Sequence, residues 1–141
     1  MCSAHAAVRH LLGEFHEPNV IAVIDMEAGL EHLSRGTDRN ADVLLVVAEP
    51  YFKALETARR CVELGRELKI QRVAALANKF RSPSELEAVR KYAGAHDIDV
   101  LAEIPYDEKI QRADLAGSAL ELNEVSCARA ATEKIAVALG L

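Results

Sequence analysis

The stretch Asn19-Val-Ile-Ala-Val-Ile-Asp25-Met-Glu-Ala-Gly29-Leu-Glu-His-Leu-Ser-Arg-Gly36 is the most informative part of this chain. Its apolar run, Val20 to Ile24, predicts a buried strand that ends in the carboxylate of Asp25. A small-residue turn containing Gly29 follows. Nucleotide-binding α/β sheets present a carboxylate in this way to a metal ion bound to phosphate. No Gly-x-x-x-x-Gly-Lys-Ser/Thr phosphate-binding loop occurs in the 141 residues.

Further apolar runs alternate with helical patterns along the rest of the chain. The runs are continuous rather than alternating, which indicates strands covered on both faces. The sequence predicts strands at Val43 to Ala48, Val73 to Ala77 and Ile98 to Ile104, and helices from about Tyr51 to Leu68, Ser82 to Gly94 and Asn123 to Leu139. This alternation predicts an α/β fold with a mostly parallel sheet flanked by helices, and we expect residues 1–141 to form a single domain.

Composition narrows the classes of function. A net charge of -5 argues against nucleic acid as a partner, because neutralising phosphates requires a basic surface. No apolar run approaches the roughly 20 residues that span a bilayer, and the first residues lack the pattern of a signal peptide. We therefore expect a cytoplasmic protein with no membrane span, whose three cysteines are thiols.

The loop after the first predicted strand is a candidate catalytic site. Asp25 can hold a water on a phosphate-bound Mg²⁺, and Gly29 lets the backbone approach a phosphate closely. An N-cap aspartate on a tight turn explains the same local pattern equally well.

The ends of the later strands are candidate nucleotide-binding positions, because α/β proteins place their sites there. Asn78 can bond the edge of a base with its amide, and the stem of Lys79 can cover the ring. Pro105, after Ile104, can fix a loop whose backbone reads the base. Judged from the local pattern alone, two alternatives to base binding remain open: an Asx-type turn at Asn78 and a simple strand end at Pro105.

The cysteines give little support for a metal site. Cys2 precedes His5 by three residues, and one such pair is too few ligands for a tetrahedral site. Cys61 and Cys127 fall in predicted helices, where we expect them to pack as small apolar side chains.

Four segments together resemble the CooC-type accessory ATPases of carbon monoxide dehydrogenase maturation. That family belongs with MinD, ParA and the nitrogenase iron protein in the deviant-Walker-A, or SIMIBI-type, P-loop NTPases. The stretch from Asp25 to Gly36 resembles the family's switch II, and its Asp-x-Glu-Ala-Gly-x-Glu-His string is fairly specific for the CooC branch. The other three segments are Asp42-Val-Leu-Leu-Val-Val-Ala-Glu-Pro50, Leu76-Ala-Asn78-Lys79, which is similar to the adenine-reading strand end, and Ile104-Pro-Tyr-Asp107, which is similar to the loop that closes over the base.

The resemblance extends over nearly all of this chain but only the C-terminal part of the family. The family's phosphate-binding loop and switch I aspartate are absent from the sequence, which implies an incomplete SIMIBI-type fold. Cys2 matches the second cysteine of the CooC branch's metal-binding Cys-x-Cys pair. The expectation is therefore a truncated or split gene product, or a shortened form, that begins inside that motif.

The resemblance implies ATP or ADP with Mg²⁺ as ligands and a role in nickel insertion into carbon monoxide dehydrogenase. Alone, the chain is not expected to hydrolyse ATP or to bind nickel or zinc tightly. Its implied partners are carbon monoxide dehydrogenase or the missing N-terminal ATPase fragment. Two alternatives remain open: a non-enzymatic interaction module derived from such an ATPase, and a flavodoxin-like binding domain.

The resemblance also predicts a gap in the sheet. In the family, the phosphate-loop strand runs between the strands that correspond to Val20–Ile24 and Val43–Ala48. Here these two strands can pair directly, exchange between copies, or accept a missing fragment. Because exposed strand edges are templates for self-association, we expect a homo-oligomer.

Overall fold

The computed structural model describes residues 20–26, 41–119 and 126–141. The secondary-structure elements are β1 (Val43–Ala48), α1 (Phe52–Glu67), β2 (Arg72–Phe80), α2 (Pro83–Ala95), β3 (Val100–Pro105), α3 (Glu108–Leu115) and α4 (Cys127–Leu139). The three strands form one sheet in the order β1-β2-β3, with both pairs parallel. The predicted parallel α/β fold is confirmed.

The core lies where α1 and α2 pack on the sheet. In β2 the residues from Ala74 to Ala77 are all buried, so both faces of this central strand are covered. Val62 of α1 is 1% exposed and packs with Val46, Ala77 and Val89 in one cluster. Small alanines in β2 let the helices approach closely, which compensates for the scarcity of large aromatic residues.

Gly65 marks the tightest approach of α1 to the sheet. A Cβ at this position would lie 2.7 Å from Leu44 Cδ2 and 3.2 Å from Val73 Cγ2. Only glycine fits between these side chains without displacing them.

Local capping sets the start of α2, as the sequence predicts. The Ser82 side chain accepts a hydrogen bond from the Glu85 N–H at 3.2 Å, and Pro83 occupies the first helical position. The Glu85 carboxylate accepts from the Arg81 N–H at 2.6 Å and fixes the chain before the cap.

A polar network joins α1 to α2. The Tyr92 hydroxyl donates to Glu56 Oε2 at 2.7 Å, and Arg59 binds the same carboxylate through two nitrogens. The bonds from Arg59, and then from Tyr92, hold the pKa of Glu56 well below its usual range.

Helix α4 packs on β3 and runs opposite to the strands. Its first residues contact Asp107, beyond the carboxyl end of β3, while Arg72 at the start of β2 donates to the Ala138 carbonyl near its end. Ala128 and Ile135 of this helix are buried. Among the described helices, none is long and apolar enough to span a bilayer.

The predicted strand Val20–Ile24 is wrong. Residues 20–26 belong to no strand, and the side chains from Val20 to Asp25 are exposed. Met26 alone packs against the core. An apolar run indicates residues that can be buried, but a strand also needs a neighbouring strand to pair with its backbone N–H and C=O groups. Within the described sheet β1 pairs only with β2, so residues 20–24 have no such neighbour.

Candidate functional site

The carboxyl ends of the three parallel strands meet at one edge of the sheet, which we call the rim. Its residues are Glu49 after β1, Asn78 and Lys79 in β2, and Ile104 and Pro105 in β3. Parallel pairing brings these positions together although up to 56 residues of sequence separate them, because Ala48 pairs with Ala77 and Asn78 pairs with Ile104. The predicted nucleotide-binding residues therefore lie side by side.

An irregularity in β2 shapes the centre of the rim. Asn78 lies opposite Ile104 and Phe80 lies opposite Pro105, so Lys79 is the extra residue of a bulge. Its φ of 57° lies in the left-handed region, which non-glycine residues seldom adopt. Bulges commonly redirect a side chain next to a site, and the Lys79 side chain is exposed.

The side-chain amide of Asn78 is half-buried and makes no hydrogen bond to another residue in the described part of the chain. An amide carries one acceptor oxygen and two N–H donors. It is therefore ready to bind a ligand that offers a donor and an acceptor side by side. The Asx-turn alternative has no bond to support it.

Lys79 is tied to the end of β1. Its Nζ lies 3.0 Å from Glu49 Oε1, in an ion pair whose side chains are 56% and 38% exposed. The lysine stem thus stretches from β2 toward β1 while remaining more than half exposed. The sequence places Glu49 directly after a predicted strand but indicates no role for its side chain.

Tyr106 closes the other side of the rim. Its N–H donates to the Phe80 carbonyl at 2.9 Å, which extends the β2–β3 ladder past Pro105. The guanidinium of Arg81 lies 4.1 Å from the centre of the Tyr106 ring, a cation–π contact. Together these contacts hold Pro105, the last residue of β3, and the turn after it against the end of β2.

Asp107 anchors this loop to two helices. Its Oδ1 accepts from the Lys109 N–H at 3.0 Å and caps α3, and its Oδ2 accepts from the Ala128 N–H at 3.3 Å at the start of α4. A bond from the Ser126 hydroxyl is the main cause that holds the pKa of Asp107 well below its usual range.

In this region the structure adds one helix that the sequence analysis missed and corrects one prediction. Helix α3 was not predicted, although Asp107 followed by Glu108 is a typical helix start. Cys127 does not pack as a small apolar side chain. It opens α4 as an exposed residue, and its Sγ is 3.2 Å from Asp107 Oδ2. Partial desolvation of the sulfur atom, together with the bond to this carboxylate, raises the pKa of the thiol.

The remaining predicted site residues are not brought to the rim by the described contacts. Asp25 is exposed and makes no hydrogen bond or ion pair within the described residues. Gly29 and Cys2 lie outside the described residues. In residues 20–26, 41–119 and 126–141, no group of three or more histidine, cysteine or acidic side chains is arranged to hold a metal ion.

Comparisons with known proteins place this geometry in a wider context. The chain is 40% identical over 118 residues to the carbon monoxide dehydrogenase accessory protein CooC of Rhodospirillum rubrum, a match that covers 83% of this chain and 44% of that protein. It is 35% identical over 130 residues to an uncharacterized ATP-binding protein of Methanocaldococcus jannaschii, covering 88% of this chain and 51% of the relative. The chain thus spans about half the length of these curated relatives. No protein-family model matches it.

Solved structures of MinD share the fold. The cell division ATPase MinD of Pyrococcus furiosus superposes with a TM-score of 0.77 at 17% identity, covering 96% of this chain and 58% of that one. MinD of Aquifex aeolicus gives a TM-score of 0.63 at 19% identity, covering 81% and 48%. At these identities the likeness shows the fold alone, and only part of that fold is present.

Proposed function

Because this chain is a CooC-type relative in the MinD/ParA superfamily that corresponds to the C-terminal part of such proteins, we propose that it carries the base-binding half of an adenine-nucleotide site. The base would lie on the rim, against Asn78, Lys79, Ile104 and Pro105. The observation that carries this proposal is the half-buried Asn78 amide, which has no hydrogen-bond partner within the described residues.

The chemistry of the amide favours adenine. Adenine presents a donor at N6 next to an acceptor at N7, and an asparagine amide matches this pair with its oxygen and nitrogen. Guanine presents two acceptors, O6 and N7, on the same edge, so the amide oxygen would face an acceptor. Pro105, at the end of β3 and followed by the anchored Tyr106, would supply the apolar wall of the site.

The described residues do not supply the groups that would bind the phosphates and their Mg²⁺. Mg²⁺ would neutralise phosphate charge in a complete site, but Asp25 offers one exposed carboxylate and no second ligand accompanies it in the described residues. We therefore assign Asp25 and Gly29 a switch II role by resemblance only and route no step through the metal. Phosphoryl transfer depends on a phosphate-binding loop, and the 141 residues contain none, so we expect no hydrolysis by this chain alone.

The partners we propose follow from the relatives. The name of CooC connects it with carbon monoxide dehydrogenase, and we propose the same client for this chain, in nickel insertion. A polypeptide that carries the phosphate-binding loop is the second proposed partner, and the cytoplasm is the proposed location.

One observation favours a second candidate function, a non-enzymatic interaction module. β1 has a strand neighbour on one side only within the described sheet, and Val47 in it is 57% exposed. Such an edge can accept a strand from a partner. This candidate predicts binding to a protein without binding to a nucleotide.

Calorimetric titration with ATP and with adenosine tests the proposal. Both ligands should bind weakly and with similar affinity, because the base supplies the contacts. Asn78→Ala should weaken both by about tenfold, the loss expected for a bidentate base contact. Gln71→Ala is the matched control, since it removes an exposed amide at the opposite end of β2.

Two results would contradict the base-binding proposal, and a third would contradict the expectation that the chain alone does not hydrolyse ATP. Failure of both ligands to bind would favour the interaction module. An equal loss in Gln71→Ala would show that Asn78 is not the contact. Turnover of Mg²⁺-ATP above background that Asp25→Ala abolishes would overturn the expectation that the chain alone is inactive.

A further inference from the structure

The ion pair between Glu49 and Lys79 contributes little to folding. Both side chains are more than a third exposed, and ion pairs in such surroundings add little net stability because water screens them. Yet the lysine sits at an unfavourable left-handed φ in a bulge, in the middle of the rim. A strained backbone conformation at a residue whose ion pair adds little stability indicates that Lys79 has a functional role.

The geometry of the pair constrains the lysine stem. The Lys79 backbone follows Asn78 in β2, and its Nζ is held 3.0 Å from Glu49 Oε1 at the end of β1. The four-carbon stem therefore bridges two strand ends beside the Asn78 amide. Because the ammonium already has a carboxylate partner, the stem's apolar surface, rather than its charge, is what Lys79 offers to a ligand.

We infer that Glu49 is a positioning residue of the base site, which orders the Lys79 stem so that a purine ring can pack on it. This inference rests on the proposed base-binding function. Lysine has many rotamers, and ordering such a side chain on binding lowers affinity. Glu49 orders it before the ligand arrives, so the ring meets a surface that is already formed.

Adenosine, which has no phosphate, is the probe that isolates this effect. In calorimetric titrations Glu49→Gln should weaken adenosine binding by about three- to tenfold, the loss expected for ordering one long side chain. Lys79→Met keeps an apolar stem but loses the anchor, so it should match Glu49→Gln. Lys79→Ala removes the stem and should bind more weakly than either.

Further variants separate positioning from charge and from folding. Glu49→Asp keeps the carboxylate and should recover part of the affinity. The double variant Glu49→Gln/Lys79→Met should be no worse than the worse single variant, because both break one interaction. Glu133→Gln is the matched control, since it removes the same charge from an exposed ion pair with Arg129 in α4, 3.1 Å long. Thermal midpoints should hardly change in Glu49→Gln, because the pair is exposed.

The outcomes distinguish this inference from the proposed function. If the unaltered chain binds adenosine and Glu49→Gln binds equally well, the inference is overturned while the base site stands. An equal loss in Glu133→Gln would overturn it by showing an effect of net charge. If the unaltered chain does not bind adenosine, both fail together.

Discussion

Asp107→Ala should destabilise the protein by detaching two helices from the end of β3. The carboxylate caps α3 through the Lys109 N–H at 3.0 Å and reaches the Ala128 N–H of α4 at 3.3 Å. Loss of an N-cap side chain costs about 1 kcal/mol. Loss of the second, longer bond leaves the Ala128 N–H without this partner, while Ser126 still caps α4, and adds up to a similar amount. We therefore expect a loss of up to about 2 kcal/mol in the free energy of unfolding.

Urea unfolding followed by circular dichroism measures this loss. Asp114→Ala is the matched control, because it removes the same charge from an exposed position on α3 and should change the free energy of unfolding by less than about 0.5 kcal/mol. Asp107→Asn keeps an acceptor for the α3 cap and should fall between the two. Equal free energies for Asp107→Ala and Asp114→Ala would refute the double-cap reasoning.

The lowered pKa of Asp107 adds a dependence on pH. A carboxyl whose folded pKa lies below its unfolded pKa stabilises the fold at pH values above the unfolded pKa, ordinarily about 3.9, and this contribution is lost as the pH falls toward the folded pKa. The difference in stability between the unaltered chain and Asp107→Asn should therefore be largest near neutral pH and shrink in acid. A difference that does not change between neutral pH and acid would contradict the assignment.

Three further predictions concern packing, metal and association. Gly65→Ala should lower the free energy of unfolding by about 1 kcal/mol, because the new Cβ crowds Leu44. Gly94→Ala should raise it by up to about 1 kcal/mol through helix propensity, because no atom lies within 4 Å of the new Cβ. Urea unfolding of both variants tests this, and two changes of the same sign would contradict it. Little nickel or zinc should survive dialysis, and stoichiometric metal that is lost in Cys2→Ser, measured by elemental analysis, would show this wrong. Light scattering after size exclusion should show a homo-oligomer or aggregates because of the β1 edge, and a monodisperse monomer with cooperative unfolding would refute this.

Two local features were predicted correctly from the sequence, whereas the start of α3 at Asp107 was missed. The bounds of β1 match the prediction at both ends, and the Ser82 cap with Pro83 begins α2 as expected. Such features depend on residues within one turn of each other or within one apolar run. The sequence records them directly.

The sequence could not show what depends on distant partners. Apolar residues at 20–24 predict a strand, but the described sheet offers them no neighbour. From the sequence, Cys127 is predicted to pack inside a helix. Its contact with Asp107, twenty residues earlier, is visible only in the structure. The Asx-turn alternative at Asn78 likewise could be judged only from the structure, in which the side-chain amide bonds to no other described residue.

The candidate site was predictable in part. The rule that parallel strands end at one edge correctly brings Asn78 next to Ile104 and Pro105. The link from Lys79 to Glu49 depends on a bulge and a left-handed φ that nothing in the sequence requires of a lysine. Asp25, the most informative residue of the sequence, makes no described contact with the rim.

Adenosine titration followed by two-dimensional ¹H–¹⁵N NMR tests the central claim most directly, because it observes the Asn78 side-chain amide itself. We predict that the two Asn78 NH₂ resonances shift together with the backbone amides of Lys79 and Tyr106, while the resonance of Gln71 at the other end of β2 stays in place. Guanosine at the same concentration should produce smaller shifts at Asn78. Adenosine binding that leaves the Asn78 amide unmoved, or shifts confined to residues away from the strand ends, would contradict a base site on this rim.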